Sequence, residues 1–272
     1  MIRERLQEYL NASDLKGAAD YIISAISKGL PLEGLNINLA NILLLSADWK
    51  EIDSLLVRGT NTLSTSGWLN SIQTRRPVDY EGNPIPWYTY PAIDFLDSVV
   101  NSDWSVFEWG CGNSTLWWAA RVERVISVED DQQWYQDVKS IIPENVTISL
   151  YREPAYHDCI LEYPDQFFDA IVVDGSYRNE SAINAVSKIK HGGIIVFDNS
   201  DNPEFDRSQI FLAEAGFYRL DFWGLIPSYL YKNCTSIYFR NPELLKAGVL
   251  PFKHRSSVGM SCQQALNCSF FE

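Results

Sequence analysis

The chain has 272 residues, 46% of them hydrophobic and 21% charged, with a formal net charge of -13. This composition can bury a sizeable core. The acidic balance disfavours nucleic acid or an anionic membrane as the main partner, because both require a basic surface. No window approaches the ~18 uninterrupted apolar residues of a membrane-spanning helix. The opening MIRERLQEYLNASDLKG is charged and amphipathic, without an apolar signal core, so a cytoplasmic setting is expected. Cys111, Cys159, Cys234, Cys262 and Cys268 are scattered, with no CxxC pair. That argues against a disulfide framework or a zinc site and fits reduced thiols. The nine tryptophans read mainly as packing residues.

In chain order, residues 1–60 read as a helical N-terminal appendage. Leu6, Tyr9 and Leu10 fit one apolar face, and Ala18, Tyr21, Ile22 and Ala25 another. Gly29 and Pro31 break the pattern, and LNINLANILLLSADWKEIDSLLVRG resumes it up to Gly59. Residues 61–89 are rich in Ser, Thr, Pro and Gly and read as a connection. From residue 90 to 240 the rhythm changes. PAIDFLDSVV reads as a helix, SVFEW as a strand, STLWWAARV as a helix, RVISVE as a strand, QQWYQDVKSII as a helix and NVTISLYRE as a strand. FDAIVV is a further strand, NESAINAVSKIK a helix, GGIIVFDNS a strand and EFDRSQIFLAEAG a helix. FYRLDFWGL and CTSIYFRN follow as strands with no helix between them. The alternation predicts an α/β, Rossmann-like, mostly parallel sheet with helices on both faces, and the last two strands an antiparallel pair at one edge. Residues 241–272 form a tail that no pattern places.

The stretch VFEWGCGNSTLWWA carries the chemistry. A strand ends on Glu108 and Trp109, Gly110 and Gly112 bracket a cysteine, and an apolar helix begins near Asn113. In an open α/β sheet, ligands bind beyond the carboxyl ends of the strands. Glycines there let the chain turn sharply and admit a ligand against bare backbone, and the helix start favours a carboxylate or phosphate. The second strand ends on Glu129, nineteen residues after Gly110, where an acid takes both hydroxyls of a ribose. A dinucleotide fingerprint would place a third glycine three residues after Gly112, but Thr115 stands there. Glu108, just before the first glycine, would repel a diphosphate and attract an ammonium group. Ribose, ammonium and carboxylate without phosphate describe S-adenosylmethionine, and an NAD-dependent oxidoreductase is the disfavoured alternative.

VFEWGCGNST followed by VISVED resembles motif I and the following acidic motif of the class I S-adenosylmethionine-dependent methyltransferases. FDAIVVDG and IKHGGIIVFDNSD resemble their fourth- and fifth-strand motifs, and DGSYRNE with DNSD resembles a bacterial subgroup. The likeness covers about residues 91–240. It implies that Glu108, Gly110, Gly112, Asn113 and Ser114 surround the methionine moiety. It further implies that Glu129 binds the ribose, Asp130 lies by the adenine edge and Asp174 faces the methyl group. Asp174, Asp198 and Asn199 end the fourth and fifth strands, as in catechol O-methyltransferase and its relatives, where such residues hold a divalent cation. The lysine that those enzymes carry three residues after the first aspartate is here Tyr177, with Arg178 next, so a metal is possible but not favoured. His157, in the loop after the third strand, is a candidate base beside Asp174 and Asp198. Asp201 is a candidate cap or substrate contact, and His191 is read as structural. Trp87, Tyr88 and Tyr90 are candidates to line the acceptor pocket or to pack the helical cap. The expected function is methyl transfer to a small-molecule acceptor, oxygen rather than nitrogen. The rival of another class is a non-catalytic scaffold that binds a partner protein.

Overall fold

The computed structural model describes residues 2–12, 14–28, 61–245 and 258–259. The helical region expected over 35–59 and most of the tail after 245, with Cys262 and Cys268, lie outside the described residues.

Helices α1 (Ile2–Asn11) and α2 (Leu15–Ser27) are joined at Asp14, whose carboxylate accepts the Gly17 N–H at 2.9 Å. They bury Leu6, Ala18 and Ala25 and bring the Tyr9 and Tyr21 rings to 6.0 Å. Residues 61–89 hold two short helices, α3 (Thr62–Thr65) and α4 (Trp68–Thr74), and a bridge between Val78 and Pro84. Asn61 caps α3 by accepting from Leu63 and Ser64.

Beyond α5 (Tyr90–Val99) lies a seven-stranded sheet: β1 (Ser105–Trp109), β2 (Arg124–Glu129), β3 (Val146–Leu150), β4 (Phe168–Val173), β5 (Ile189–Asp198), β6 (Tyr218–Leu225) and β7 (Lys232–Phe239). Its order is β3-β2-β1-β4-β5-β7-β6. The first five strands are parallel, and β7 runs antiparallel to both β5 and β6. The expected antiparallel pair is therefore at the edge, with the reversed strand β7 lying inside and β6 outermost. Burial explains the order: Cys234–Phe239 of β7 are all buried, whereas β6 has no buried residue.

Connecting helices α6 (Asn113–Ala119), α7 (Gln132–Lys139), α8 (Ala155–Asp158), α9 (Arg178–Lys188) and α10 (Asp206–Glu214) cover the two faces. Alternation along β1 divides the core. Val106 joins Leu96, Trp117, Trp118, Val172 and Val196 on one face. Phe107 and Trp109 join Ile171, Val173, Ala182 and Leu212 on the other. Strands covered on both faces read as continuous apolar runs, as SVFEW and FDAIVV do. No helix among the described residues is long and apolar enough to cross a membrane.

Phe107 is a hub of the second face, with ring centroids at 4.8 Å from Trp109, 6.1 Å from Tyr163 and 5.3 Å from Phe168. Phe107→Ala should cost about 3–5 kcal/mol, the usual range for a buried phenylalanine. In chemical denaturation the midpoint should fall while the slope stays unchanged.

Candidate active site

The strand order reverses between β1 and β4, and a cleft of about 740 Å³ opens beyond their carboxyl ends. The turn after β1 supplies Gly110 to Ser114, the end of β2 supplies Glu129 and Asp130, and α7 supplies Trp134. The ends of β4 and β5 add Asp174, Gly175, Ser176, Arg178, Asp198 and Asn199. Arg75, Arg76, Pro77 and Trp87 enter from the segment before α5, and Ile226, Tyr229, Tyr231, Lys232 and Asn233 from the β6–β7 turn and the start of β7.

Two local devices shape the turn after β1. Gly110 has φ +85°, and a Cβ there would stand 3.1 Å from the Gly175 Cα, so the turns after β1 and β4 touch through bare backbone. A Cβ on Gly112 would meet only the Trp134 indole, at 3.5 Å. The protein leaves room at Gly112 without filling it.

Glu108 departs from its expected place. It is fully buried and does not line the cleft. It lies behind the turn, where one oxygen accepts from the hydroxyls of Thr115 and Ser127, at 2.5 and 3.2 Å. Oε1 has no hydrogen-bond partner among the described residues. Burial pushes its carboxyl up to about 8, with nearby hydroxyls opposing the shift and Asp174 adding to it. Thr115 accepts from the Gly112 N–H at 2.9 Å, so the residue at the missing third glycine fastens the turn to Glu108. Glu108 supports the site from behind, and no geometry here brings it to a ligand.

Glu129 does reach the cleft. One oxygen accepts from the Cys111 N–H at 3.1 Å, and the other from the N–H groups of Asp130 and Asp131, at 2.9 and 3.0 Å. The carboxylate therefore ties the glycine turn to the end of β2. Asp131 caps α7 by accepting from Trp134 N at 2.7 Å, and the Trp134 Nε1–H donates to Cys111 O at 2.6 Å. The indole is 41% exposed, which leaves a large aromatic face at the cleft beside Asp130. Asn113 donates to Pro77 O at 2.7 Å, and Ser114 lines the wall next to it. The sequence reading missed Trp134. Its signal was a tryptophan in the first turn of the helix that follows the ribose-type acid.

At the ends of β4 and β5, Arg178 makes five hydrogen bonds. Its guanidinium donates to Asp174 O at 2.8 Å, Asp174 Oδ1 at 3.1 Å, Gly175 O at 3.0 Å and Asn199 Oδ1 at 2.7 Å, and also to Asp198 O. Tyr177 and Asn199, flanking this knot, are both left-handed, at φ 52° and 53°. Such positions persist only where surrounding bonds enforce them. The expected metal ligands Asp174 and Asn199 are thus committed to a protein cation. Among the described residues, no group of three His, Cys, Asp or Glu is arranged for a metal ion. A divalent cation placed in that corner would meet the like charge of the Arg178 guanidinium.

Asp198 is buried, and its Oδ1 accepts from the Thr235 hydroxyl at 2.6 Å. Desolvation, reinforced by Asp174, pushes its carboxyl up to about 8. Desolvation raises Asp174 as well, opposed by Arg178. Asp174 also holds the ion pair with Arg178, and the two carboxyls titrate as a pair, each displaced upwards by desolvation.

His157 does not line the cleft. It lies on α8, with Nδ1 2.9 Å from Asp158 Oδ1 and its ring 6.0 Å from Tyr177. Packing of α8 against α9, through Asn184 to His157 O at 3.0 Å, turns it away, so it is no candidate base. Trp87 lines the cleft, whereas Tyr88 is fully buried and Tyr90 packs against the same core. Asp201 accepts from Cys234 N at 3.3 Å, and Asn202 rather than Asp201 caps the turn at Pro203. His191 is an exposed residue of β5.

No family model matches the sequence, and no curated protein sequence matches it. Solved structures similar to the chain include a precorrin-6y C5,15-methyltransferase from Geobacter metallireducens GS-15, at 15% identity over 56% of this chain and 87% of that one, with TM-score 0.45. A putative O-methyltransferase from Klebsiella pneumoniae shares 18% identity over 50% of this chain and 73% of that one, with TM-score 0.41. A spermidine synthase from Thermotoga maritima shares 12% identity over 67% of this chain and 73% of that one, with TM-score 0.44. An architecture of this kind carries different reactions, so the functional reading rests on the cleft's own residues.

The raised Asp198 carboxyl has a consequence for stability. Its native value of about 8 lies above the ordinary 3.8, so folding favours the protonated form. The contribution is complete below about pH 4 and is lost as pH rises towards 8. Asp198→Asn keeps an acceptor for Thr235 and cannot ionise. Its stability relative to the unmodified protein should therefore climb across that window and level off above it, as read from urea midpoints at several pH values.

Proposed function

We propose that the chain is an S-adenosylmethionine-dependent methyltransferase that methylates a hydroxyl group of a small molecule. The observation that carries this reading is one cleft that holds together an unfilled glycine turn, an acid at the end of β2 and two carboxylates at the ends of β4 and β5. The resemblance of VFEWGCGNST and VISVED to the class I methyltransferase motifs points the same way. Thr115 argues against a dinucleotide, since its hydroxyl occupies the contact with Glu108 where a pyrophosphate-binding helix would carry a glycine.

S-adenosylmethionine supplies an electrophilic methyl group on a sulfonium. On this reading, Gly110, Gly112, Asn113 and Ser114 surround its methionine end. Glu129, already holding the turn through its carboxylate, turns its remaining lone pairs to the ribose hydroxyls. Asp130 and the exposed Trp134 face take the adenine. Asp174, fixed by Arg178, faces the methyl-bearing end. The protein's main task is to align acceptor and methyl. Its second task is to take the acceptor's proton. Asp198 fits that role, because its carboxyl lines the cleft and is held in place through Oδ1 by the Thr235 hydroxyl. A base that ionises only near 8 matches the proton affinity of an activated hydroxyl better than an ordinary carboxylate does.

Calorimetry with S-adenosylmethionine, S-adenosylhomocysteine and NAD tests the cofactor. The first two should bind, and NAD binding alone would overturn the proposal. Trp134→Ala should weaken S-adenosylhomocysteine by about 1–3 kcal/mol, as for loss of an aromatic face stacked on a base. Turnover should rise with pH through about 8, the range in which burial places the Asp198 carboxyl. It should be lost in Asp198→Asn and be indifferent to a chelator. Inhibition by a chelator, restored by Mg²⁺, would reinstate a metal mechanism.

A further inference from the structure

We propose that the acceptor side of the cleft recognises an anionic oxygen group, a carboxylate or a phosphate, through Arg75, Arg76 and Lys232. The molecule methylated would then be acidic. Calling that molecule the acceptor rests on the methyl-transfer reading, but the anion site itself does not.

The charges lining the cleft are segregated by element. Its acids, Glu129, Asp130, Asp174 and Asp198, all stand at the sheet's carboxyl edge. Apart from Arg178, which is spent on β4 and β5, its bases come from the segment after α4 and the start of β7. These two pieces are one wall. The Trp87 Nε1–H donates to Pro227 O at 3.0 Å, and the Trp68 Nε1–H to Tyr229 O at 2.9 Å. Trp87 and Tyr229 also line the cleft there and offer apolar surface beside the cations.

The side chains of Arg75, Arg76 and Lys232 make no ion pair or hydrogen bond among the described residues, and Lys232 only stands 5.2 Å over the Trp223 ring. Other cations are ion-paired, Arg121 with Asp97, Lys188 with Asp165, Lys190 with Asp169 and Arg219 with Asp221. Arg75, Arg76 and Lys232 instead gather on one wall of the cleft, in a protein of net charge -13, with no carboxylate paired to them among the described residues. Arg75 also sits at φ 56°, just past α4, where glycine is the residue of least strain. An arginine fork is matched to carboxylate and phosphate oxygens. The cationic sulfonium suits the acidic edge, and an anion suits the opposite charge beside it.

The test is calorimetry with inorganic phosphate, pyrophosphate and citrate, on the full chain with and without S-adenosylhomocysteine. At least one anion should bind, and the phosphate and citrate arms distinguish the two chemistries. The double variant Arg76→Gln, Lys232→Gln should weaken that anion by about tenfold or more, the loss expected from charge-assisted hydrogen bonds, and leave S-adenosylhomocysteine affinity unchanged. Absence of anion binding, or binding indifferent to the double variant, would overturn the inference. So would a parallel loss of S-adenosylhomocysteine, which would assign these cations to the cofactor's carboxylate. If S-adenosylhomocysteine fails to bind the unmodified protein, the methyl-transfer reading falls, and the titration without it still decides the anion site.

Discussion

The guanidinium of Arg178 is the interaction on which the carboxyl edge of the sheet depends. Parallel strands β4 and β5 end side by side, and their last carbonyls would otherwise point into the cleft without partners. Arg178 takes the carbonyls of Asp174, Gly175 and Asp198, along with the side chains of Asp174 and Asn199. A lysine could not do this, because it is a point donor and not a planar fork. The left-handed turns at Tyr177 and Asn199 are the geometric cost of bringing both strand ends to one cation. Two carboxylates can then stand close together. Arg178 opposes the desolvation that raises Asp174, and Asp174 in turn adds to the upward displacement of Asp198.

The other half of the cleft is held by acids of a different kind. Glu108 and Glu129 end neighbouring strands and grip the same glycine turn, one from behind and one from the side. Glu108 works through hydroxyls, Thr115 and Ser127, in a fully buried setting. Glu129 works through backbone N–H groups at the rim. The difference in environment separates their chemistry. Burial raises Glu108, whose burial makes the charged form costly. Glu129, also buried, is held by three backbone N–H donors and lines the cleft. One acid is therefore part of the core, and the other is available to a ligand.

The sheet was legible in the sequence because apolar runs covered on both faces alternate with amphipathic helices, and both periods survive in the text of the chain. The turn at Gly110 and Gly112 and the acid at Glu129 were legible for a related reason: backbone freedom and a strand-end carboxylate are local properties. What sequence could not supply was direction. Glu108 and Glu129 look alike on paper, yet pleating turns the first into the core and leaves the second at the rim. His157 sits in the expected loop but is turned towards Asp158 by packing of α8 on α9. Arg178 reads as an ordinary residue in the first turn of a helix, and only the adjacency of β4 and β5 makes it a clasp. The outer wall was least legible of all. Trp68 and Trp87 lie far from Tyr229 and Pro227 in the chain and meet them through indole-to-carbonyl bonds that no local pattern announces.

That wall also bears on selectivity. On the proposed reading, the sheet edge brings the reacting groups together, but it offers the acceptor little beyond Asp198 and Asp174. Recognition must come from surfaces that rest on the sheet without belonging to it. The β6–β7 turn and the segment before α5 are such surfaces, and each is pinned to the other by a tryptophan. Thr89 extends the link inward. Its N–H donates to the Thr235 hydroxyl at 3.1 Å, and that hydroxyl donates in turn to Asp198 Oδ1 at 2.6 Å. The connection that carries Arg75, Arg76 and Trp87 is therefore joined, through one hydroxyl, to the carboxylate best placed to take a proton. On the proposed reading, a shift of the wall on binding an acceptor would reach Asp198 through that hydroxyl, so that recognition and proton removal would share a single hydrogen-bond chain.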